Sequence, residues 1–265
     1  MNVREIEKDG VLYIVKFATS KEKQFLLGDE IRNHKLIQSK NVPGILNIEH
    51  EDGFNLVTRK VSGLFGHFNL RSLLFSNCNL HDLLFREILF QICFSIGILQ
   101  FSFQSFRHND LKADNILLDT SHESSEFIFE WPNPKRQWKL NSGIKTFIID
   151  FEVSSSNDFL NNKSLALEKA HSKFGLSAER CDMFDIHLLF SELRMSAPHK
   201  VWGASFLAFS QDFFNDSMFS SDVCTSQFRL NFEAQKKSMT LRWKRDNFIF
   251  RILSHQYFSH LRVQL

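Results

Sequence analysis

The first residues of the chain alternate between apolar and polar side chains in a pattern that predicts strands. β-forming residues run from Val3 to Ile6 and from Val11 to Ala18, and the turn sequence Lys8-Asp9-Gly10 separates them. Asp-Gly between two β-forming runs is a strong hairpin signal. We therefore expect a β-hairpin, with Lys16 near the end of its second strand.

The pattern changes to a helical period from Lys21 to about Lys40. One face of the predicted helix carries Leu27, Glu30, Ile31 and His34, at three- and four-residue spacings. Glu30 should therefore face inward, where a carboxylate needs a partner. Lys16 is the natural partner, and the alternative is a surface pair between Glu30 and His34.

Two more strand-like segments follow this helix. Asn41-Val42-Pro43-Gly44 ends the helix, and β-forming residues then run from Ile45 to His50 and from Phe54 to Thr58, with Glu51-Asp52-Gly53 as the turn between them. This first part of the chain is therefore predicted to form a small antiparallel sheet with one helix.

Helical patterns dominate the rest of the chain. The longest, from Leu80 to Phe106, is strongly apolar, but it contains Arg86 and Glu87, and charges at such positions are costly in a bilayer. We therefore expect a buried helix and no membrane span. Further helical patterns run from Cys181 to Leu193, from Trp202 to Phe214 and from Asp246 to Leu265. With the sheet they predict an α+β fold.

Composition and charge narrow the class of protein. The chain has 265 residues, 43% of them hydrophobic, and a formal net charge of +2. Such a chain can bury a large core, and its small charge provides no overall field that would recruit nucleic acid or an anionic membrane. We expect neither partner and a monomer. The local basic run from Lys236 to Arg245 is interpreted as solvated surface.

The cysteines and the first residues favour a reducing compartment. Cys78, Cys93, Cys181 and Cys224 show neither zinc-ligand spacing nor a disulfide pattern. The segment from Met1 to Asp9 is polar and charged and has no hydrophobic signal core. We therefore expect a cytoplasmic location.

The candidate chemistry lies in the polar stretch His108-Asn109-Asp110-Leu111-Lys112-Ala113-Asp114-Asn115, which leads into an apolar run. Asp110 supplies a carboxylate that can receive a proton, Lys112 a cation for a phosphate, and Asn115 an amide oxygen for a metal ion. Phosphoryl transfer needs these three groups. The stretch resembles the protein-kinase catalytic loop, H-R-D-x-K-x-x-N, with Asn109 in place of the Arg that would bind an activating phosphate.

A second motif follows the buried strand predicted at Phe147-Ile148-Ile149. The residues Asp150-Phe151-Glu152 resemble the D-F-G segment of kinases, with Glu152 in place of Gly. The resemblance implies that Asp150 binds Mg²⁺ against the phosphates of ATP, and that Asn115 holds a metal ion from the other side.

The resemblance extends to the nucleotide pocket. Lys16 is similar to the Lys of V-A-I-K, which anchors the phosphates of ATP, and Glu30 to its ion-pair partner on a helix. Thr58 would lie at the back of the pocket. The segment Arg59-Lys60-Val61 would be the hinge whose backbone pairs with adenine.

A helix beyond these motifs would hold the catalytic loop in place. The pattern from Cys181 to Leu193 resembles the kinase helix in which an Asp near the start binds the backbone of the catalytic loop. Asp182 and Asp185 are both candidates, and the spacing does not choose between them.

The resemblance implies a two-lobed protein-kinase-like fold. Residues 1–62 would form a small antiparallel-sheet N-lobe that lacks the first strand and the Gly-rich loop, and residues 63–265 a mainly helical C-lobe. The C-lobe would carry a surface insertion at 119–146 and an activation segment at 150–180, in which Ala166-Leu167-Glu168 is the string nearest to A-P-E.

The function that this resemblance implies is ATP-dependent phosphoryl transfer to Ser or Thr hydroxyls of protein substrates, with ATP and Mg²⁺ as cofactors. Lys112, two residues after Asp110, favours protein substrates. One alternative is a pseudokinase scaffold that binds nucleotide or a partner without transfer. Another is a small-molecule kinase of the choline or aminoglycoside type, in which H-N-D and I-D-F-E also occur. The motif variants are most similar to those of protein kinases from large DNA viruses.

Overall fold

A four-stranded antiparallel sheet forms the first part of the chain. The computed structural model describes residues 1–51, 55–64, 68–78, 80–120, 126–132, 135–159, 181–214 and 248–263. The strands are β1 (Asn2–Lys8), β2 (Val11–Phe17), β3 (Ile48–Glu51) and β4 (Asn55–Arg59), in the order β1-β2-β4-β3. Each neighbouring pair runs antiparallel. The small antiparallel sheet predicted from the pattern is thus confirmed.

The predicted hairpin between β1 and β2 is present. Asp9 and Gly10 have φ values of 54° and 74°, and the favoured two-residue hairpin turn needs positive φ at both central positions. Lys16 lies opposite Val3 on one side and opposite Leu56 of β4 on the other. The backbone of Lys16 is therefore held within the sheet by neighbouring strands on both sides.

Helix α1 (Lys21–Gln38) packs against this sheet. Its residues Leu27 and Ile31 are buried together with Leu56 of β4. Glu30 lies on the same side of the helix and is also buried, as its spacing predicts. The packing of apolar neighbours therefore brings a carboxylate against the sheet.

The remaining described chain is organised around one buried helix. After the short helix α2 (Leu70–Leu74), helix α3 (Asp82–Ser102) runs through the core, and every residue from Ile88 to Gly97 is buried. Within the described residues, no helix has both the length and the apolar character needed to cross a membrane. The long apolar segment is therefore a core helix.

A two-stranded ladder connects the two candidate motifs. Strand β5 (Ile116–Asp119) pairs antiparallel with β8 (Lys145–Ile148), so that the start of β5 lies beside the end of β8. The Ile149 amide continues this pairing by donating a hydrogen bond to the Asn115 carbonyl oxygen at 3.0 Å. The residues that follow β8 therefore lie next to the residues that precede β5.

A second hairpin lies between these two strands. It consists of β6 (Phe127–Pro132) and β7 (Lys135–Leu140). Trp131 and Trp138 are fully buried, and the Trp138 ring centroid lies 5.4 Å from that of Phe90 on α3. A Cβ at Gly97 would lie 2.7 Å from the Trp131 ring, so only glycine permits this close approach. Within the segment 119–146, which was predicted to be a surface insertion, these two tryptophans therefore extend the core.

Shorter helices complete the described part of the chain. These are α4 (Phe184–Ser196), α5 (Gly203–Gln211) and α6 (Phe248–Leu253), with turns of 3₁₀ helix at Ala113–Asn115, Ala197–His199 and Gln256–Leu261. Helices α5 and α6 are shorter than the patterns predict. The last pattern is interrupted at His255, where the backbone is extended with φ −66° and ψ 151°.

Some predicted features lie outside the described residues. They are Cys224, the string Ala166-Leu167-Glu168, the basic run from Lys236 to Arg245 and the predicted activation segment beyond residue 159. Among the described cysteines, Cys93 is a buried free thiol.

Candidate active site

Lys16, Glu30 and Asp150 form an ion-pair cluster between the sheet, α1 and the end of β8. The Lys16 Nζ lies 2.7 Å from the Glu30 Oε2 and 2.9 Å from the Asp150 Oδ1. The predicted contact between Lys16 and Glu30 is therefore present. The alternative was a surface pair between Glu30 and His34. The His34 Nε2 instead bonds to the Leu46 carbonyl oxygen at 2.5 Å.

Burial and charge act in opposite directions on this cluster. Burial alone would lower the pKa of Lys16, but the Glu30 and Asp150 carboxylates outweigh it and hold the pKa above its ordinary value. Burial raises the pKa of Glu30 to about 7, although Lys16 opposes the shift. Burial would also raise the pKa of Asp150, but Lys16, with His108 and Lys112, holds it below its ordinary value. Lys16 and Asp150 are therefore charged at neutral pH.

Asp110, Lys112 and Asn115 lie together in the predicted catalytic loop. The Lys112 Nζ is 2.6 Å from the Asp110 Oδ2. The Asn115 Nδ2 donates to the Asp110 carbonyl oxygen at 2.9 Å and to its Oδ2 at 3.2 Å. Because the amide nitrogen of Asn115 is used in this way, its Oδ1 is the side-chain atom that can act as a metal donor.

The carboxylate of Asp185, in the first turn of α4, holds this loop. It accepts hydrogen bonds from the His108 amide at 2.8 Å and from the Asn109 amide at 2.9 Å. Burial raises the pKa of Asp185, and the neighbouring His108 and Arg107, with the two backbone amides, oppose the shift. Asp182 instead contributes its backbone carbonyl oxygen, which accepts from the Gln100 side chain at 3.1 Å. Of the two candidates, Asp185 therefore contacts the loop backbone.

The segment after Asp150-Phe151-Glu152 is bound to the same loop. The Asn109 Nδ2 donates to the Val153 carbonyl oxygen at 3.0 Å and to the Ser155 Oγ at 3.1 Å. Arg107 and Ser155 exchange two backbone hydrogen bonds of 2.8 Å. A neutral side chain thus holds this segment at the position where the resemblance places an Arg.

Glu192 is a functional candidate that the sequence reasoning missed. Its Oε2 accepts from the Ala113 amide of the loop at 2.6 Å, and its Oε1 accepts from Arg71 Nη1 of α2 at 2.9 Å. Burial raises the pKa of Glu192, and both donors oppose the shift. The signal in the sequence was an acidic residue inside an otherwise apolar helix, which needs a partner when buried.

A cavity of about 370 Å³ contains the predicted nucleotide-site residues. Of the predicted site residues, Lys16, Glu30, Thr58, Arg59, Val61 and Asp150 line it. Ile14, Leu56 and Leu117 supply apolar surface. Asp110, Lys112 and Asn115 are not among the lining residues. The hydrogen bond from the Ile149 amide to the Asn115 carbonyl oxygen connects their loop to Ile149 and Asp150, which do line the cavity. A cleft of about 610 Å³ beside the end of α1 contains none of the predicted site residues.

Glu152 adds a third carboxylate to the cluster around Lys16. Oxygen atoms of Glu30, Asp150 and Glu152 all lie within 4.8 Å of one another. The Glu152 Oε2 is 3.9 Å from the Lys16 Nζ. Carboxylate and amide oxygens are the donors that Mg²⁺ prefers in proteins, so the groups at Asp150, Glu152 and Asn115 fit such an ion.

Comparisons with known proteins agree with the kinase resemblance in part of the chain. No family model matches. A stretch of 116 residues is 27% identical to an Acanthamoeba polyphaga mimivirus protein named "Putative serine/threonine-protein kinase", and it covers 40% of this chain. The chain spans only 23% of the length of that relative. A crystal structure of a kinase domain has a TM-score of 0.48 and 16% identity, over 98% of this chain and 87% of that chain.

The elements and motifs lie in the order that the kinase resemblance predicts. Lys16 on strand β2 forms an ion pair with Glu30 on helix α1. Both elements precede the buried helix α3, which leads into the loop of Asp110. Strand β8 then delivers Asp150 to the same Lys16. With the partial similarity to the mimivirus protein, these features agree with the kinase resemblance and with the predicted α+β class.

Proposed function

We propose that this protein transfers the γ-phosphoryl group of ATP to Ser or Thr hydroxyls of protein substrates. The observation that supports this function best is the position of Lys16, whose Nζ lies within 2.9 Å of both Glu30 and Asp150 in one cavity. A phosphate-binding Lys set by a carboxylate, beside a second carboxylate for a metal ion, is the arrangement that phosphoryl transfer requires.

The cavity offers separate surfaces for the parts of ATP. Ile14, Leu56 and Leu117 give it an apolar section suited to the faces of adenine. Thr58 and the segment from Arg59 to Val61 border this section, and the backbone of that segment would pair with the edge of the base. Lys16 would bind phosphate oxygens at the opposite, charged end.

The catalytic loop offers the groups for the transfer itself. Asp110 would orient the substrate hydroxyl and accept its proton. Lys112, 2.6 Å from Asp110, would neutralise charge on the transferred group. Asp150 and Asn115 would hold Mg²⁺, which draws the phosphates together and offsets their charge when bound.

Lys112 favours a protein substrate, whereas the residues at positions 109 and 152 favour a small-molecule substrate. Asn109 and Glu152 give the strings H-N-D and I-D-F-E, which also occur in choline and aminoglycoside kinases. A small-molecule kinase is therefore the second candidate, and a nucleotide-binding scaffold without transfer is the third. For the first candidate we propose a monomer that acts in the cytoplasm, with residues 1–62 and 63–265 as its two lobes.

Two measurements on one preparation test the proposal. ATP with Mg²⁺ should raise the melting temperature, because a ligand that binds only the folded state stabilises it. Radiolabelled phosphate should then pass from ATP to Ser or Thr of a casein-type protein. Transfer to choline or an aminoglycoside alone would favour the second candidate, and binding without any transfer would favour a scaffold. If neither ATP with Mg²⁺ nor an adenine-site inhibitor shifts the melting temperature, the nucleotide site is refuted.

A further inference from the structure

We propose that Glu152 makes nucleotide binding at this site depend on a divalent cation, because it adds a third carboxylate to the surroundings of Lys16. The inference rests on the proposed function, since it concerns the same nucleotide site. It goes further in assigning a role to the residue that replaces Gly after Asp150-Phe151.

At the end of the cavity proposed for the phosphates, three carboxylates surround the single ammonium group of Lys16. The Lys16 Nζ has carboxylate oxygens of Glu30, Asp150 and Glu152 at 2.7, 2.9 and 3.9 Å. When all four groups are ionised, the cluster carries an excess of two negative charges. With Gly after Phe151, the same cluster would carry an excess of one.

This balance disfavours a phosphate chain that arrives without a cation. The phosphates must share Lys16 with carboxylates that already contact it, and these carboxylates also repel the phosphates directly. A divalent cation reverses the effect, because carboxylates that repel phosphate are ligands for the cation. The third carboxylate should therefore weaken binding of free nucleotide and strengthen binding of the metal complex.

The three carboxylates differ in their freedom to respond to a ligand. Glu30 is buried at the base of the cluster, and its Oε2 is in direct contact with Lys16. The Glu152 side chain is 27% exposed and stands farther from the ammonium. Of the three carboxylates, Glu152 is therefore the one that Lys16 holds least closely.

The competing explanation is that Glu152 only holds Lys16 in place. Removing Glu152 would then loosen Lys16 and weaken the binding of nucleotide with and without metal to the same extent. The two explanations predict opposite effects on metal-free nucleotide, which makes them separable by a binding experiment.

The experiment compares the wild-type chain with Glu152→Gln and Glu152→Gly. Glu130→Gln, on the β6–β7 hairpin, is the control that loses one negative charge outside the cavity. Isothermal titration with ADP is carried out in EDTA and in Mg²⁺, and circular dichroism establishes that each variant is folded. The ratio of the two dissociation constants measures the dependence on metal.

We expect this ratio to be at least tenfold smaller in Glu152→Gln than in the wild type and in Glu130→Gln. Most of the change should come from tighter binding of ADP in EDTA. Mn²⁺ titrations followed by electron paramagnetic resonance should show weaker Mn²⁺ binding to the ADP complex of Glu152→Gln. The Gly variant should behave in the same direction, and it serves in place of the Gln variant should that one fail to fold.

Equal ratios in all four proteins would overturn the inference while leaving the proposed function intact. A parallel loss of affinity in EDTA and in Mg²⁺ would also overturn it, in favour of a role in holding Lys16. Failure of the wild type to bind ADP even with Mg²⁺ would refute the nucleotide site itself. The inference and the proposed function therefore fail by different observations.

Discussion

The Lys16 Nζ lies 2.7 Å from the Glu30 Oε2, and the Glu30 side chain is only 2% exposed. This contact joins the second strand of the sheet to helix α1 across the inner end of the cavity. A buried carboxylate without a partner is costly, so each member of the pair constrains the other.

Replacing Lys16 by Met should therefore affect both folding and transfer. The free energy of unfolding should fall by about 3 kcal/mol, because Glu30 remains buried without its cation. Transfer should fall by about 10²-fold or more, since a group that stabilises charge on the phosphates is lost. Glu30→Gln should reduce transfer less, because Glu30 only positions Lys16.

The double variant Lys16→Met/Glu30→Gln separates these two effects. It should recover much of the lost unfolding free energy, as measured by urea denaturation, while transfer stays low. Recovery of transfer in the double variant would contradict a direct role for Lys16 in binding phosphate.

Asp110 is expected to act on the substrate hydroxyl and not on the nucleotide. Asp110→Asn should leave the shift in melting temperature by ATP with Mg²⁺ nearly unchanged. The rate of transfer should fall by about 10²- to 10⁴-fold, because the proton acceptor is lost. The isosteric change keeps a group that can accept from Asn115, whose Nδ2 lies 3.2 Å from the Asp110 Oδ2.

Both quantities should be measured on one preparation, with Glu130→Gln as a control. Equal transfer by the wild type and Asp110→Asn would indicate a contaminating kinase. Loss of ATP binding in Asp110→Asn would contradict the separation of roles between the loop and the cavity.

Asn109 should hold the segment after Glu152 without any phosphorylation. Its φ is 66°, and its side-chain Nδ2 donates hydrogen bonds to the Val153 carbonyl oxygen and to the Ser155 Oγ. Asn109→Gly keeps the positive φ without strain and should cost about 1 to 3 kcal/mol through the buried hydrogen bonds lost. Asn109→Ala should cost about 1 kcal/mol more, because Ala is strained at positive φ.

Hydrogen exchange gives a local measure of this contact. The Ser155 amide, which bonds to the Arg107 carbonyl oxygen at 2.8 Å, should exchange faster in Asn109→Gly. Unchanged protection at Ser155 would mean that the backbone ladder alone holds the segment.

His34 should make stability fall in acid. Burial lowers its pKa to about 4 from an ordinary 6.5, with Lys16 adding to the shift and the bond to the Leu46 carbonyl oxygen opposing it. Between these two values the unfolded chain binds a proton that the folded chain does not. The free energy of unfolding should therefore fall by up to about 3 kcal/mol as the pH decreases through this window.

Urea denaturation at pH 7 and pH 4.5 checks this expectation. The wild type should lose more unfolding free energy than His34→Gln between the two pH values. His50→Gln, at an exposed position on β3, is the matched control and should resemble the wild type. An identical loss in His34→Gln would assign the acid sensitivity to other groups.

The local sequence determined the elements that carry the site. Asp9-Gly10 specifies a turn with two positive φ values, and this turn places Lys16 on a strand. The three-residue spacing of Leu27 and Glu30 puts both on the buried face of α1. These features follow from the sequence because turn chemistry and helical period depend on neighbouring residues.

Tertiary structure decided which distant residues meet. Asp182 and Asp185 were equal candidates in the sequence, and only the packing of α4 against the loop of Asp110 puts the Asp185 carboxylate on the His108 amide. Burial of Trp131 and Trp138 likewise depends on α3, where Gly97 gives Trp131 space to approach. Such contacts join residues far apart in the chain, and no local pattern specifies them. The antiparallel pairing of β5 with β8 is the tertiary contact that brings Asp150 beside Asn115, and thereby makes two separate motifs one site.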